Sequence, residues 1–342
     1  MALSWLLYAR HAAPINRNVT SCMALHQTQT LLPDAAGIAT TAALLKDAKL
    51  VALPTETVYG LAGDARSDLA CARIFEAKGR PRFNPLIVHL PSLAAAQDIA
   101  EFPGQALALA EAFWPGPLTL VLPLKSGHGL SPLVTAGLDT VALRVPDHPV
   151  MQAVLKAFGG AVAAPSANPS GRITATTAAH VHAGLGGKIA AVLDAGPCTV
   201  GLESTILAPG PDGTRLLREG GLPPEAYQGL CGPVRTDTTP GKVTAPGQTS
   251  SHYAPSTPLV MNSTLSDPAT IRIGFADPGP DLTLSPGGDL VTAAANLFAI
   301  LHKADALARA KGATEIHIAP VPDSGLGRAI NDRLRRASAP RD

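Results

Sequence analysis

The sequence predicts an α/β protein of two unequal domains. Short apolar runs alternate with stretches of helical period up to about residue 230. A segment rich in Pro, Gly, Thr and Ser follows at 232–258, and strand-like and helix-like stretches resume beyond it. A length of 342 residues fits two domains at roughly 150 residues each. Hydrophobic residues make up 46% but aromatic ones only 4%, so the core must be built mainly from Ala, Leu, Val and Ile.

Taken in chain order, residues 1–22 carry Arg10 and Arg17 and no acid, yet no basic residue precedes the apolar stretch from Ala2 to Ala9. A secretory signal fits this poorly, and the segment reads as a disordered extension upstream of a start at Met23. Residues 34–49 have helical period and lead into a short buried strand at 50–53, which breaks at Pro54. The next helix is expected over Asp68–Lys78, capped by Ser67 and stopped by Gly79, with Leu69, Ala72 and Phe75 on one face. Strand candidates follow at 86–90, 118–122, 141–145, 161–164, 190–193, 204–207 and 215–217, with helical patterns at 105–113, 150–158 and 177–183. The last four strands lie too close together for helical crossovers throughout, so part of the sheet must be antiparallel.

Residues 231–258 lack an apolar period and are too long for an ordinary connection, so they are expected to link two domains, 23–230 and 259–342, and to act as a lid. In the second domain, 271–275 and 316–319 read as strands, 290–310 as a long helix and 327–337 as a basic amphipathic helix.

With 27 basic and 26 acidic residues and a net charge of +1, no global field draws the chain to nucleic acid or an anionic membrane. No window approaches the ~18 uninterrupted apolar residues of a membrane span. The cysteines Cys22, Cys71, Cys198 and Cys231 form no CxxC pair, which argues against a disulfide framework or structural zinc and for reduced thiols in the cytoplasm. A phosphate loop of the GxxxxGK[ST] type, a GxGxxG after a strand, HExxH and GxSxG are all absent, so a nucleotide site must be of a less common design.

Five runs carry the chemistry that remains. PTETVYGL at 54–61 places hydroxyls and Glu56 where a strand breaks, a usual site location in α/β sheets, though on composition alone an ST-turn with a buried tyrosine is the simpler reading. KGRPRFNPLIVH at 78–89 gathers Lys78, Arg80 and Arg82 after a helix. The cations could favour the helix dipole, or the stiff prolines could present them as a phosphate clamp that is solvent-exposed when empty. In TVALRVP at 140–146, Arg144 interrupts an apolar strand and needs either a substrate carboxylate or a structural acid as its partner. APSANPSG at 164–171 and GLEST at 201–205, followed by LREGG at 217–221, break strands with small polar residues that could equally be turns.

In this order and spacing, and with HYAP at 252–255, the runs resemble the YrdC-like family in the long, two-domain form of the L-threonylcarbamoyladenylate synthases. The resemblance is strong over 50–221 and weaker through 316–334. It implies a twisted, mixed parallel and antiparallel sheet with helices around a basic cavity, followed by a smaller Rossmann-like α/β domain. It further implies that Thr55, His89, Arg144, Ala164 and Ser204 hold L-threonine, with Arg144 on its carboxylate. Arg80, Asn84, Thr140, Ser166, Asn168, Thr174, Arg218 and Tyr253 would hold ATP, Lys78 and Arg80 would serve catalysis, and Glu56 would be structural or order water. No protein metal ligands are implied, and a magnesium ion is expected with the nucleotide.

The implied reaction joins L-threonine, bicarbonate and ATP into threonylcarbamoyl-adenylate, with pyrophosphate released. The product would pass to the transferase complex that modifies tRNA, with at most a weak contact to tRNA and none to membrane. A non-catalytic binder of double-stranded RNA is the main rival, against which the near-zero net charge and the lack of a basic stripe both count. A carbamoyl-transfer role in hydrogenase maturation would need acylphosphatase-like and cysteine-rich zinc regions that the sequence lacks, and a degenerate relative would not retain the complete set of site residues.

Overall fold

The structure is a computed structural model that describes residues 27–81, 83–236, 252–263, 267–277 and 281–340. The expected extension at 1–22 and most of the expected lid, 237–251, lie outside the described residues.

The first domain runs β1 (Gln29–Leu31), α1 (Ala35–Lys46), β2 (Val51–Leu53), β3 (Gly60–Asp64), α2 (Asp68–Lys78), β4 (Ile87–His89), α3 (Leu93–Gln97), α4 (Gln105–Phe113), β5 (Leu118–Pro123), α5 (Pro132–Thr135), β6 (Thr140–Arg144), α6 (Pro149–Phe158), β7 (Val162–Ala163), α7 (Ala178–Leu185), β8 (Ala191–Leu193), β9 (Thr205–Gly210), β10 (Gly213–Arg218), α8 (Pro224–Cys231) and β11 (Arg235–Thr236). The second comprises β12 (Leu259–Val260), β13 (Thr270–Gly274), β14 (Leu282–Thr283), α9 (Leu290–Lys311), β15 (Glu315–Ile318) and α10 (Leu326–Ser338).

Local chemistry sets several helix ends. Asp34 accepts the Gly37 amide at 2.8 Å to start α1, and Ser67 accepts the Ala70 amide at 3.2 Å to start α2. Gly79 closes α2 in the left-handed conformation, with φ +60. The expected face of α2 is displaced, however. Phe75 is buried as expected, but Leu69 is 54% exposed, and the buried stripe runs through Ala70, Cys71, Ile74, Phe75, Ala77 and Lys78. The reason is β3, a strand that the apolar pattern does not announce: α2 packs on it, and Gly63 lets Ile74 and Ala70 approach to 3.2 and 3.4 Å of where a Cβ would stand. The residues expected to be a featureless linker also contribute to the sheet, because β11 pairs in parallel with β10.

The large sheet has the order β1-β8-β2-β3-β7-β4-β6-β5-β9-β10-β11. Parallel pairs such as β4 with β6 alternate with antiparallel ones such as β5 with β6 and β9 with β10. The second sheet, β12-β15-β13-β14, is wholly parallel. By length and composition α9 could cross a membrane, but Ala293, Leu297, Phe298 and Leu301 bury it in the second core. That core also takes in Val58, Ile173 and Leu202 from the first domain, so the two domains share a seam of apolar packing. Cys71, Cys198 and Cys231 are free and buried.

Register decides where a site can form. Val162 and Ala164 face α1 and α6 with Met151, Val154 and Leu155. His89 pairs with Val162, and Ile87 and His89 pair with Ala142 and Arg144, so these side chains continue the same face of the sheet. Beyond β7 that face carries the small cluster Ile87, Val121, Ala142, Ile206, Ala208 and Leu217. The opposite face, with Val88, Leu120, Leu143 and Leu207, belongs to the main core.

Candidate active site

Thr55, Arg80, His89, Arg144, Ala164, Ser166, Ser204, Arg218 and Tyr253 converge on one cleft. These nine come from widely separated parts of the chain, and the sheet register brings several of them together.

The turn after β2 contributes Thr55. Its hydroxyl donates to the Val58 carbonyl at 2.7 Å and accepts the Val58 amide at 3.2 Å, while the Tyr59 hydroxyl donates to the Gly196 carbonyl at 2.8 Å. The ST-turn and the buried tyrosine therefore exist, and the same turn forms a wall of the cleft. Gly60 packs with its absent Cβ 3.1 Å from Ala164 Cβ, joining this turn to the end of β7.

Arg144 has taken the structural acid as its partner. Its Nη2 donates to Glu56 Oε1 at 2.6 Å, Nη1 to the Thr57 hydroxyl at 2.8 Å and Nε to the Gly116 carbonyl at 3.2 Å. The guanidinium is thus fixed while still lining the cleft. Beside it, burial and then the charge of Arg144 push the His89 imidazole down to about 3, so it is neutral at physiological pH and its Nδ1 has no partner among the described residues.

On the other side, Arg80 donates to Asn84 Oδ1 at 2.6 Å and to the carbonyls of Pro85 at 2.8 Å and Asn84 at 3.2 Å. Arg218 donates to the Ser204 carbonyl at 2.8 Å and hydroxyl at 3.1 Å, and that hydroxyl shares a 2.7 Å bond with Thr119. Burial lowers both guanidiniums to about 10, which leaves them charged at neutral pH. The expectation of a solvent-exposed clamp is wrong: Lys78 is 4% and Arg80 9% exposed, because the end of α2 is sealed by the 164–172 loop.

Five expected residues do not line the cleft. Lys78 donates to the carbonyls of Ser166 and Asn168, and Asn84 orients Arg80. Asn168 Nδ2 ties its own loop to the carbonyls of Pro169 and Arg172, both at 2.9 Å. The Thr174 hydroxyl donates to Glu203 Oε1 at 2.9 Å, and Thr140 sits half-buried at the start of β6, on the strand face of Ala142 and Arg144.

Glu203 and His252 also line the cleft; the sequence assigns Glu203 no role, whereas His252, in the HYAP run beside Tyr253, falls within the expected lid. A signal existed for Glu203, an acid in an otherwise apolar and hydroxyl-bearing run, as Arg144 was in its own strand. Glu203 is 5% exposed, and although burial opposes ionisation, Arg333 and Arg218 hold its carboxyl below the usual range. Burial pushes the His252 imidazole down to about 3. The 252–254 segment is clasped from both sides: the His252 amide donates to Arg336 O at 3.1 Å and the Ala254 amide to Gly171 O at 2.9 Å. Tyr253, between them, has φ +64, a conformation uncommon for a side chain of its size, and is 1% exposed.

Comparison with known proteins agrees with the geometry. Residues 43–220 match the Sua5, YciO and YrdC family model, described as telomere recombination, and residues 222–339 match the model described as threonylcarbamoyl-AMP synthase, C-terminal domain. A threonylcarbamoyl-AMP synthase of Bacillus subtilis is 40% identical across 89% of this chain and 93% of its own. One from Pyrococcus abyssi is 38% identical across 87% and 92%. The crystal structure of P. abyssi Sua5 complexed with L-threonine matches with a TM-score of 0.83 and 36% identity, covering 91% of this chain and 97% of that one.

Proposed function

The chain belongs to the threonylcarbamoyl-AMP synthase family and makes L-threonylcarbamoyl-adenylate, and from that premise we propose how its cleft does so. The family uses ATP as a substrate. Threonine lies on the Thr55, His89, Arg144, Ala164 and Ser204 side, and the triphosphate lies between Arg80 and Arg218. The carrying observation is the pair of charged guanidiniums, Arg80 and Arg218, buried in a cleft whose lining, among the described residues, includes a single carboxylate, Glu203. Buried cations in such surroundings favour an anion.

The neutral amine of threonine adds to carbon dioxide formed from bicarbonate, giving an N-carboxylate and water. A carboxylate oxygen then bonds to the α-phosphorus of ATP, the bond to the bridging oxygen breaks, and pyrophosphate leaves. No enzyme nucleophile is required. Fixed positioning of the reactants can supply about 7–11 kcal/mol in favourable cases. Arg80 and Arg218 meet the charge that grows on the leaving phosphates. His89 is too weak a base to deprotonate an ammonium group, but its bare Nδ1 can accept a hydrogen bond from the substrate. Lys78 acts at one remove, holding the Ser166–Asn168 backbone against the cleft.

The described residues contain no cluster of three acidic, histidine or cysteine side chains, and both oxygens of Glu203 are already bonded. A resident metal does not fit this donor set. Magnesium would arrive on the triphosphate as part of the substrate. The product is consumed by the transferase that modifies tRNA, and the buried free thiols suit the cytoplasm.

The test is to incubate purified protein with threonine, bicarbonate, ATP and magnesium and to follow pyrophosphate and the mass of threonylcarbamoyl-adenylate. Product that depends on all three substrates supports the reading. ATP turnover that is indifferent to threonine, or binding of double-stranded RNA without turnover, would overturn it.

A further inference from the structure

Arg333 lies on α10 of the second domain, far from the runs that resemble a catalytic site, and is fully buried. Its Nε donates to Glu203 Oε2 at 3.1 Å and its Nη1 to the Glu219 carbonyl at 2.6 Å, and its guanidinium lies 5.6 Å from the centre of the Tyr253 ring. Asp332 Oδ2 is a further partner at 3.1 Å. The seam beside it is tight, since a Cβ on Gly201 would stand 2.5 Å from Ala294 O and Ala295 Cα of α9. Glu203, two residues on, is therefore held at a fixed place against the second domain.

Glu203 is a carboxylate of the cleft, paired with Arg333 and within the electrostatic reach of Arg218, and the two arginines serve different ends. Arg218 lines the cleft and Arg333 does not. If Arg333 were missing, the buried charge of Glu203 would find its compensation in Arg218, and the cleft would lose positive potential where a polyphosphate has to sit. We propose that Arg333 is a positioning residue for the nucleotide: it takes up the charge of Glu203 and orients Tyr253, so that the second domain sets the electrostatics of the first domain's cleft. This rests on the reading of Arg80 and Arg218 as the triphosphate side.

The experiment is steady-state kinetics of the full chain as wild type, Arg333→Met, Glu203→Gln and the double variant, with unliganded melting temperatures measured alongside. For Arg333→Met, KM for ATP should rise roughly tenfold while KM for threonine stays within about twofold, and adding Glu203→Gln should return KM for ATP to near the wild-type value. Equal rises in both KM values, or a double variant in which KM for ATP stays raised, would overturn the proposal. If Arg333→Met does not fold, the double variant decides, because it strands neither charge: near-wild-type KM for ATP supports the proposal. A raised value, or failure to fold, shows that the guanidinium serves the fold alone. Wild type that forms no product from threonine, bicarbonate and ATP would bring down the underlying reading of the site, a result distinct from any difference among the variants.

Discussion

Arg144 illustrates how far a single residue could be read from its neighbours. An arginine within TVALRVP had to have a partner, and the sequence left a substrate carboxylate and a structural acid both open. Glu56 is the partner in the structure, with side-chain exposures of 4% and 8% for the pair, and Arg144 still faces the cleft. Truncating one member of such a pair strands the other. Arg144→Ala is therefore expected to cost about 3–5 kcal/mol of stability in urea denaturation, besides weakening threonine. Combining Arg144→Met with Glu56→Gln should cost less than the sum of the two single changes, since neither charge is then left buried alone. A strictly additive result would show that the pair contributes no coupling. Glu203 was open to the same reasoning as Arg144, but its partner could not be named because Arg333 is 130 residues away.

At the scale of elements, ends were more legible than faces. Ser67 and Gly79 bound α2 as their chemistry dictates, whereas its buried face depended on β3, whose glycine-rich sequence, GLAGD, gives a weak strand signal. The same helix carries Lys78 on its last turn, where a cation would satisfy the helix dipole in any fold. In this fold the ammonium instead reaches the carbonyls of Ser166 and Asn168, so it fastens α2 to the 164–172 loop. Lys78→Met should leave those two carbonyls without that donor and lower unliganded stability by about 1–3 kcal/mol, read as a drop in melting temperature. KM for ATP should rise with it, because Ser166 moves. An unchanged melting temperature would mean that the loop is held without the lysine.

Over the whole molecule, the two domains meet at more than apolar contacts. His180 of α7 and His302 of α9 stack with centroids 3.9 Å apart, and His302 Nε2 lies 3.1 Å from the Thr174 carbonyl, next to the hydroxyl that binds Glu203. Burial, then His302 and Lys303, holds His180 down at about 4, from an ordinary value of 6.5. A depressed folded value means that the neutral ring's contribution is complete above pH 6.5 and is lost as pH falls through about 4. His89 and His252 add to the same acid limb, so the diagnostic quantity is a difference. His180→Phe keeps a ring in the stack, and its denaturation midpoint should fall less steeply than wild type between pH 6.5 and 4, by up to about one proton's worth of slope. Identical slopes would remove His180 from the seam's acid response. By itself the sequence determined the α/β class, most element positions and the order of runs that identifies the synthase family, because caps, periodicity and motifs act between residues close in the chain. Only the tertiary structure decided which charges neutralise one another. Arg144 meets Glu56 and Glu203 meets Arg333 across separations of 88 and 130 residues, and such pairings arise only when the register of the sheet and the docking of α10 bring their side chains within hydrogen-bonding distance.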